Sequence, residues 1–268
     1  MLAIIGGTGL TRLSTLSVRH REVIRTPYGE PSAALVFGEI AGHEAIFLAR
    51  HGHGHTIPPH RVNYRANLWA LKEQGASAVL AVASVGGIRD CHPGDLVLPH
   101  QLIDYTSGRA QTFFDGGDQQ VVHADFTHPY SQRLRKLCLA GARRGRIALR
   151  NGGVYGAVSG PRLETAAEID RMDRDGATMV GMTGMPEAGL ARELGVDYAS
   201  VCVVVNHAAG RGDSAVEVSM EKIANVLEEA MDKVRALVQQ VVALVPSEPH
   251  ADPPNVVEVE SEVAADDP

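Results

Sequence analysis

Tyr198-Ala-Ser-Val-Cys-Val-Val-Val205, ending in Asn206, is the stretch whose reading decides the fold. It is an unbroken run dominated by β-branched residues, the pattern of a strand buried on both faces. Before it lies a helical pattern over 186–194, with Pro186 at its start and Gly195 after its end. After it comes the longest helical pattern, 219–245, with Met220, Ile223, Val226, Leu227, Ala230, Val234, Leu237 and Val241 on one face. Outward from there the same alternation continues. Strands are expected over 2–5, 33–38, 44–49, 78–85 and 95–99, and helices over 62–74, 132–142 and 164–174. Ala41-Gly42 reads as a hairpin turn. This order predicts an α/β fold, a mixed central β-sheet flanked by helices. Ligands of such sheets bind beyond the strand ends, and Asn206 stands at one such end with both a donor and an acceptor.

The chain has 268 residues, enough for one large domain. No linker interrupts residues 1–245, which are read as that domain. Residues 246–268 form a tail that is Pro-rich, acidic and poor in aromatics, and it is expected to be disordered. The formal net charge is −7, but seven of the 32 acids lie in this tail, which has no Lys or Arg; the body carries 25 of each sign. A neutral body gives no reason to expect nucleic-acid binding. No apolar run is long enough for a membrane span, and the N-terminus is too short and Gly-rich for a secretory signal. Three unclustered cysteines, Cys91, Cys138 and Cys202, point to a reducing cytoplasm.

Several loops at predicted strand ends carry chemistry. In Gly6-Gly-Thr-Gly9, the glycines let backbone N–H groups converge on an anion and Thr8 adds a hydroxyl. The last Gly of a dinucleotide fingerprint is missing, since Arg12 stands there. A phosphate-sized anion therefore fits better than NAD, and a non-catalytic nucleotide-binding protein remains the alternative from another class. Arg50-His-Gly-His-Gly-His-Thr-Ile-Pro-Pro-His60 holds four His but no carboxylate or thiolate, and Arg50 would repel a cation. The run is read as a phosphate site rather than a metal site. Glu164 opens a helix after Ser159-Gly-Pro-Arg-Leu163, and Met182-Thr183 sits in a loop before the next helix.

The order of these motifs resembles a known family. Gly6-Gly-Thr-Gly9, Arg50-His51-Gly52, Val62-Asn-Tyr-Arg-Ala-Asn67, Pro93-Gly-Asp95, Gly160-Pro-Arg162, Met182-Thr183 with Pro186-Glu187, and Tyr198-Ala-Ser200 are similar to those of methylthioadenosine phosphorylases and trimeric purine nucleoside phosphorylases. The resemblance runs from residue 1 to about 243. Pro99-His-Gln-Leu-Ile-Asp-Tyr-Thr-Ser-Gly-Arg109 and Val180-Gly-Met-Thr-Gly-Met-Pro-Glu-Ala188 are most similar to bacterial S-methyl-5′-thioinosine phosphorylases.

The resemblance implies phosphorolysis of a purine nucleoside in a homotrimer, with phosphate as co-substrate and no cofactor or metal. It implies that Thr8, Arg50, His51, Ala83, Ser84 and Thr183 hold phosphate. Val85, Gly86 and Met182 would line the nucleoside, and Leu163 stands where the family usually has a base-stacking Phe. Glu164 and Asn206 match the pair that reads a 6-oxopurine; with His51 they form the expected catalytic set. Met220 and Ile223 match the apolar wall of the 5′ pocket, which His123 would reach from a neighbouring subunit. Adenine-specific members carry Asp at the positions of Asn206 and Ala208, so the expected substrate is S-methyl-5′-thioinosine. A general inosine/guanosine phosphorylase and a methylthioadenosine phosphorylase remain the alternatives.

Overall fold

The computed structural model describes residues 1–116, 121–246 and 256–258. Its strands are β1 (Leu2–Gly6), β2 (Ser17–Glu22), β3 (Leu35–Ile40), β4 (His43–Ala49), β5 (Ala78–Gly87), β6 (Leu96–Leu98), β7 (Gln101–Asp104), β8 (Val122–Ala124), β9 (Arg150–Asn151), β10 (Val154–Ala157), β11 (Met179–Gly181), β12 (Asp197–His207) and β13 (Val256–Glu258). The helices are α1 (Tyr64–Glu73), α2 (Gln132–Arg144), α3 (Ala166–Asp175), α4 (Gly184–Glu193) and α5 (Met220–Val242). All strands but β8 and β13 join one mixed sheet, as the alternation of elements predicts.

β5 is the axis of this sheet. One of its edges pairs with β12 along its whole length. The other edge pairs with β1 over Ala78–Ala81 and then, in the opposite sense, with β11 at Gly86 and Gly87. Between these two partners the edge is unpaired, so the sheet opens at residues 82–85. The ends of β1, β4, β11 and β12 gather around that opening.

Helices cover both faces. Leu68 and Leu71 of α1 and Ala188 and Leu190 of α4 pack into the core on one side. Leu134 and Cys138 of α2 and Leu237, Val238 and Val241 of α5 fill the other. A smaller cluster, Ile169, Met172, Val180 and Ala208, seats α3. That helix has a full capping box between Thr165 and Glu168, and Gly176 ends it in the left-handed conformation. The β3–β4 turn has positive φ at both Ala41 and Gly42, as a tight hairpin of the matching twist requires.

The differences from the expected elements are local. β2 was not expected, because all six of its residues are exposed and the sequence has no alternation to reveal an edge strand. β7, β9, β10 and β11 are two to four residues long and lack a run to detect. In the tail, β13 pairs antiparallel with β8, setting Val257 opposite His123. The rest of the segment expected to be disordered, 247–255 and 259–268, lies outside the described residues.

The buried face of α5 makes one prediction. Leu237 is fully buried, so Leu237→Ala should cost about 2–5 kcal/mol through lost burial and the cavity left behind. Urea unfolding followed by circular dichroism measures this; a loss below about 1 kcal/mol would mean that α5 does not seal this face.

Candidate active site

A cavity of about 590 Å³ occupies the opening beside β5. Gly7 and Thr8 enter it from the end of β1, and Arg50 and His51 from the end of β4. Ala83, Ser84, Val85 and Gly86 form its floor. Leu163 and Glu164 come from the loop before α3, Met182 and Thr183 from the turn between β11 and α4. Asn206 and Ala208 close the end of β12, and Met220 and Ile223 descend from the start of α5. Every site residue expected from the sequence lines this cavity except His123. That residue lies on β8, outside the lining of the cavity.

Arg50 anchors one end of the cavity. It is 1% exposed, and its Nε and Nη2 donate to the two carboxylate oxygens of Glu187 at 2.8 and 2.9 Å. Nη1 donates to the Val82 carbonyl at 2.9 Å. Glu187 is itself fully buried and also accepts from the Tyr198 hydroxyl at 2.8 Å. Burial opposes the charge on Arg50, but the facing carboxylate outweighs it and holds the guanidinium pKa above its ordinary value. Two of the five guanidinium N–H groups remain for a ligand, one on each terminal nitrogen. Gly7 permits the approach: a Cβ there would sit 2.6 Å from the Val82 oxygen and 2.9 Å from Nη1.

Because Glu187 compensates Arg50, this end of the cavity presents aimed donors rather than surplus charge. Ser84 supplies another. Its Oγ is buried without a hydrogen-bond partner, and a ligand oxygen would satisfy it. His51 has a different role from the cationic one that an Arg–His pair suggests. Its Nδ1 lies 2.8 Å from the Ile57 carbonyl, which can only accept, so Nδ1 carries the proton. Burial, and then the charge of Arg50, push its pKa down to about 4. Neutral His51 therefore keeps Nε2 as an acceptor, suited to a phosphate oxygen that bears a proton.

The other end carries the polar side chains of Glu164 and Asn206. Burial raises the pKa of Glu164 above the ordinary carboxylate value. Asn206 donates from Nδ2 to the His207 carbonyl, which leaves Oδ1 as an acceptor and one N–H as a donor. The mouth is apolar and open: Leu163 is 44% and Met220 67% exposed. Among the described residues, no three His, Cys, Asp or Glu side chains converge as metal ligands.

Sequence reasoning missed the structural role of Glu187. The signal was present: it is the one charged residue between Gly184 and Leu190, a stretch otherwise fit for burial, and a buried carboxylate requires a partner.

The sequence profile of the phosphorylase superfamily matches residues 1–243. The chain belongs to the phosphorylase superfamily. It is 51% identical over 245 residues to a probable S-methyl-5′-thioinosine phosphorylase of Pseudomonas syringae pv. tomato, covering 90% of this chain and 98% of that one. It is 40% identical to a probable 6-oxopurine nucleoside phosphorylase of Thermococcus kodakarensis, covering 92% and 93%. Among solved structures, the methylthioadenosine phosphorylase of Schistosoma mansoni in complex with adenine superposes with a TM-score of 0.88, at 31% identity over 92% of each chain. The superfamily match stops at the end of α5, so the acidic tail lies beyond it.

Two predictions test the Arg50 end of the cavity. Glu187→Ala strands a buried guanidinium and should cost about 3–5 kcal/mol, read as a shift in the urea midpoint; a near-neutral result would remove the ion pair from the core. His51 makes stability pH-dependent with a definite sign. The unfolded chain takes up its imidazole proton near the ordinary value of about 6.5, and the folded protein only near 4. Stability should therefore fall as pH drops through that window. His51→Asn keeps a donor for Ile57 and should flatten the decline. An unchanged slope from pH 7 to 4 would show that His51 is not held neutral.

Proposed function

We propose that this phosphorylase uses inorganic phosphate to cleave a 6-oxopurine nucleoside, S-methyl-5′-thioinosine foremost, giving hypoxanthine and 5-methylthioribose 1-phosphate. The observation that carries this reading is Asn206 facing the same cavity as Glu164, with the Arg50–His51–Ser84 end opposite. A phosphate oxygen forms a bond to the anomeric carbon as the bond from that carbon to the purine N9 breaks. The purine takes the electron pair and is protonated at N7. Asn206 Oδ1 accepts from N7–H and its amide donates to O6, while Glu164 accepts from N1–H. The transition state is oxocarbenium-like, and the protein's work is orientation and charge stabilisation. This chemistry calls for no cofactor beyond phosphate.

Adenine offers an amine at position 6, so the Asn206 donor would face another donor and Glu164 would lose its partner. Buried groups left unpaired in this way reject an analogue by about 10⁴-fold. A general inosine/guanosine phosphorylase is the second reading, supported by the relatives that bear the 6-oxopurine name. Met220, Ile223 and Val218 at the cavity wall favour a methylthio group over a hydroxyl. We further propose a cytoplasmic homotrimer in which His123 of each subunit reaches the neighbouring 5′ pocket.

The deciding assay compares phosphate-dependent base release from methylthioinosine, methylthioadenosine, inosine and adenosine. The native enzyme should prefer methylthioinosine. Asn206→Asp should shift the ratio of catalytic efficiencies toward methylthioadenosine, incompletely, because Glu164 and Ala208 are unchanged. A native preference for the adenine nucleoside, or a ratio indifferent to Asn206→Asp, would overturn the base assignment. Light scattering should return a trimer or a multiple of one; a fully active monomer would refute the shared pocket.

A further inference from the structure

Behind Asn206 runs a chain of hydrogen bonds that the reaction above does not use. His207 Nδ1 lies 2.6 Å from Asp213 Oδ1. On the other side of the ring, His207 Nε2 lies 3.4 Å from His92 Nδ1, the two rings meeting edge to face. Asp213 accepts the Nδ1 proton of His207, which leaves Nε2 to accept from His92. The hydrogen bond from His207, aided by Lys222 with its Nζ 3.8 Å from Oδ2, holds the Asp213 carboxyl below the usual range. Four separate elements meet here: the turn between β5 and β6, the last residue of β12, the short turn Gly212–Ser214 and the first turn of α5. The turn is moulded to the ring. Gly212 has φ +47, and a Cβ on it would lie 2.6 Å from His207 Nδ1.

This chain begins one residue after the base-reading side chain. β12 is irregular at that place: its register against β5 shifts between Val204 and Asn206. A bulge re-aims the side chain beside it, and whatever holds the strand end decides where that side chain faces. Asn206 borders the main cavity and also a second cavity of about 190 Å³ whose wall includes Asp213 and Lys222. With Val205 it stands between the main cavity and the one that Asp213 lines. The same loop reaches the other base-reading group. Arg211 pairs with Asp170 and Asp173 of α3, the helix that follows Glu164.

We propose that His207 and Asp213 are positioning residues for base recognition, clamping the end of β12 so that the Asn206 carboxamide faces the purine. The proposal rests on Asn206 reading the base. The test measures kcat and KM for methylthioinosine and methylthioadenosine, with the KM for phosphate as an internal control, in His207→Ala, His207→Asn and His92→Ala. Asn places an amide nitrogen where Nδ1 was and keeps the donor to Asp213. His207→Ala should raise the nucleoside KM and shrink the native preference between the two bases by roughly 10-fold or more, the scale of a lost hydrogen bond to a charged group. Phosphate KM should stay put, and His207→Asn should restore most of the preference. His92→Ala, at the exposed end of the chain, should give a smaller change in the same direction, readable even if His207→Ala folds poorly. Damage to folding alone would lower activity on both nucleosides alike and leave their ratio intact. That outcome, or a His207→Asn no better than His207→Ala, overturns the clamp. The direction of the native preference separately tests the Asn206 reading, because the clamp predicts a smaller preference whichever base is favoured.

Discussion

The ion pair between Arg50 and Glu187 is the constraint on which the rest of the molecule is arranged. Two charges removed from water are costly, and their attraction offsets that only with good geometry and every remaining polar atom satisfied. The first condition is met by two parallel hydrogen bonds, and the second in part by a third to the Val82 carbonyl and a tyrosine hydroxyl on the carboxylate, with two guanidinium N–H groups left over. The partners are 137 residues apart in sequence. The pair therefore ties the end of β4 to α4 and to β12 at one point beneath the cavity. The tie also fixes the plane of the guanidinium, so its two free N–H groups are aimed before any ligand arrives.

Around that point the topology does the positioning. β5 changes partners on one edge, from β1 to β11, and the unpaired stretch between them becomes the cavity floor. Had β1 continued along β5, its backbone would fill the space that Ser84 and Gly86 now border. The ends of neighbouring strands meet at this gap because β1, β4 and β12 run parallel to β5 or to each other, so their C-terminal loops emerge on the same side.

Much of this was legible in the sequence, for a physical reason. The strands that hold the site, β1, β5 and β12, are buried on both faces and so are written as apolar runs; the main helices carry a one-sided stripe. Their boundaries fell within a few residues. The exposed edge strand β2 has no such imprint, and β10 and β11 are too short to show a period. The cavity residues were found because the resemblance covers nearly the whole chain and places them one by one. What neither periodicity nor motif could supply was pairing at a distance. Glu187 stood in a quoted motif, yet nothing in the order of residues says that it neutralises Arg50 or that Ile57 fixes the tautomer of His51. The chain Asp213–His207–His92 escaped for the same reason: its ends lie 121 positions apart in sequence.

The two ends of the cavity differ in how deeply they are rooted. Arg50 lines the cavity and is at once a piece of the core, and its neighbours Glu187 and Tyr198 are sealed from solvent. Leu163 and Met220, by contrast, stand at an open mouth on loop and helix-start positions. Tolerance to substitution is therefore expected to be unequal. A change at the Arg50 end threatens the whole domain, while a change at the mouth leaves the framework standing. A scaffold rooted in this way tolerates remodelling of its mouth far better than of its base.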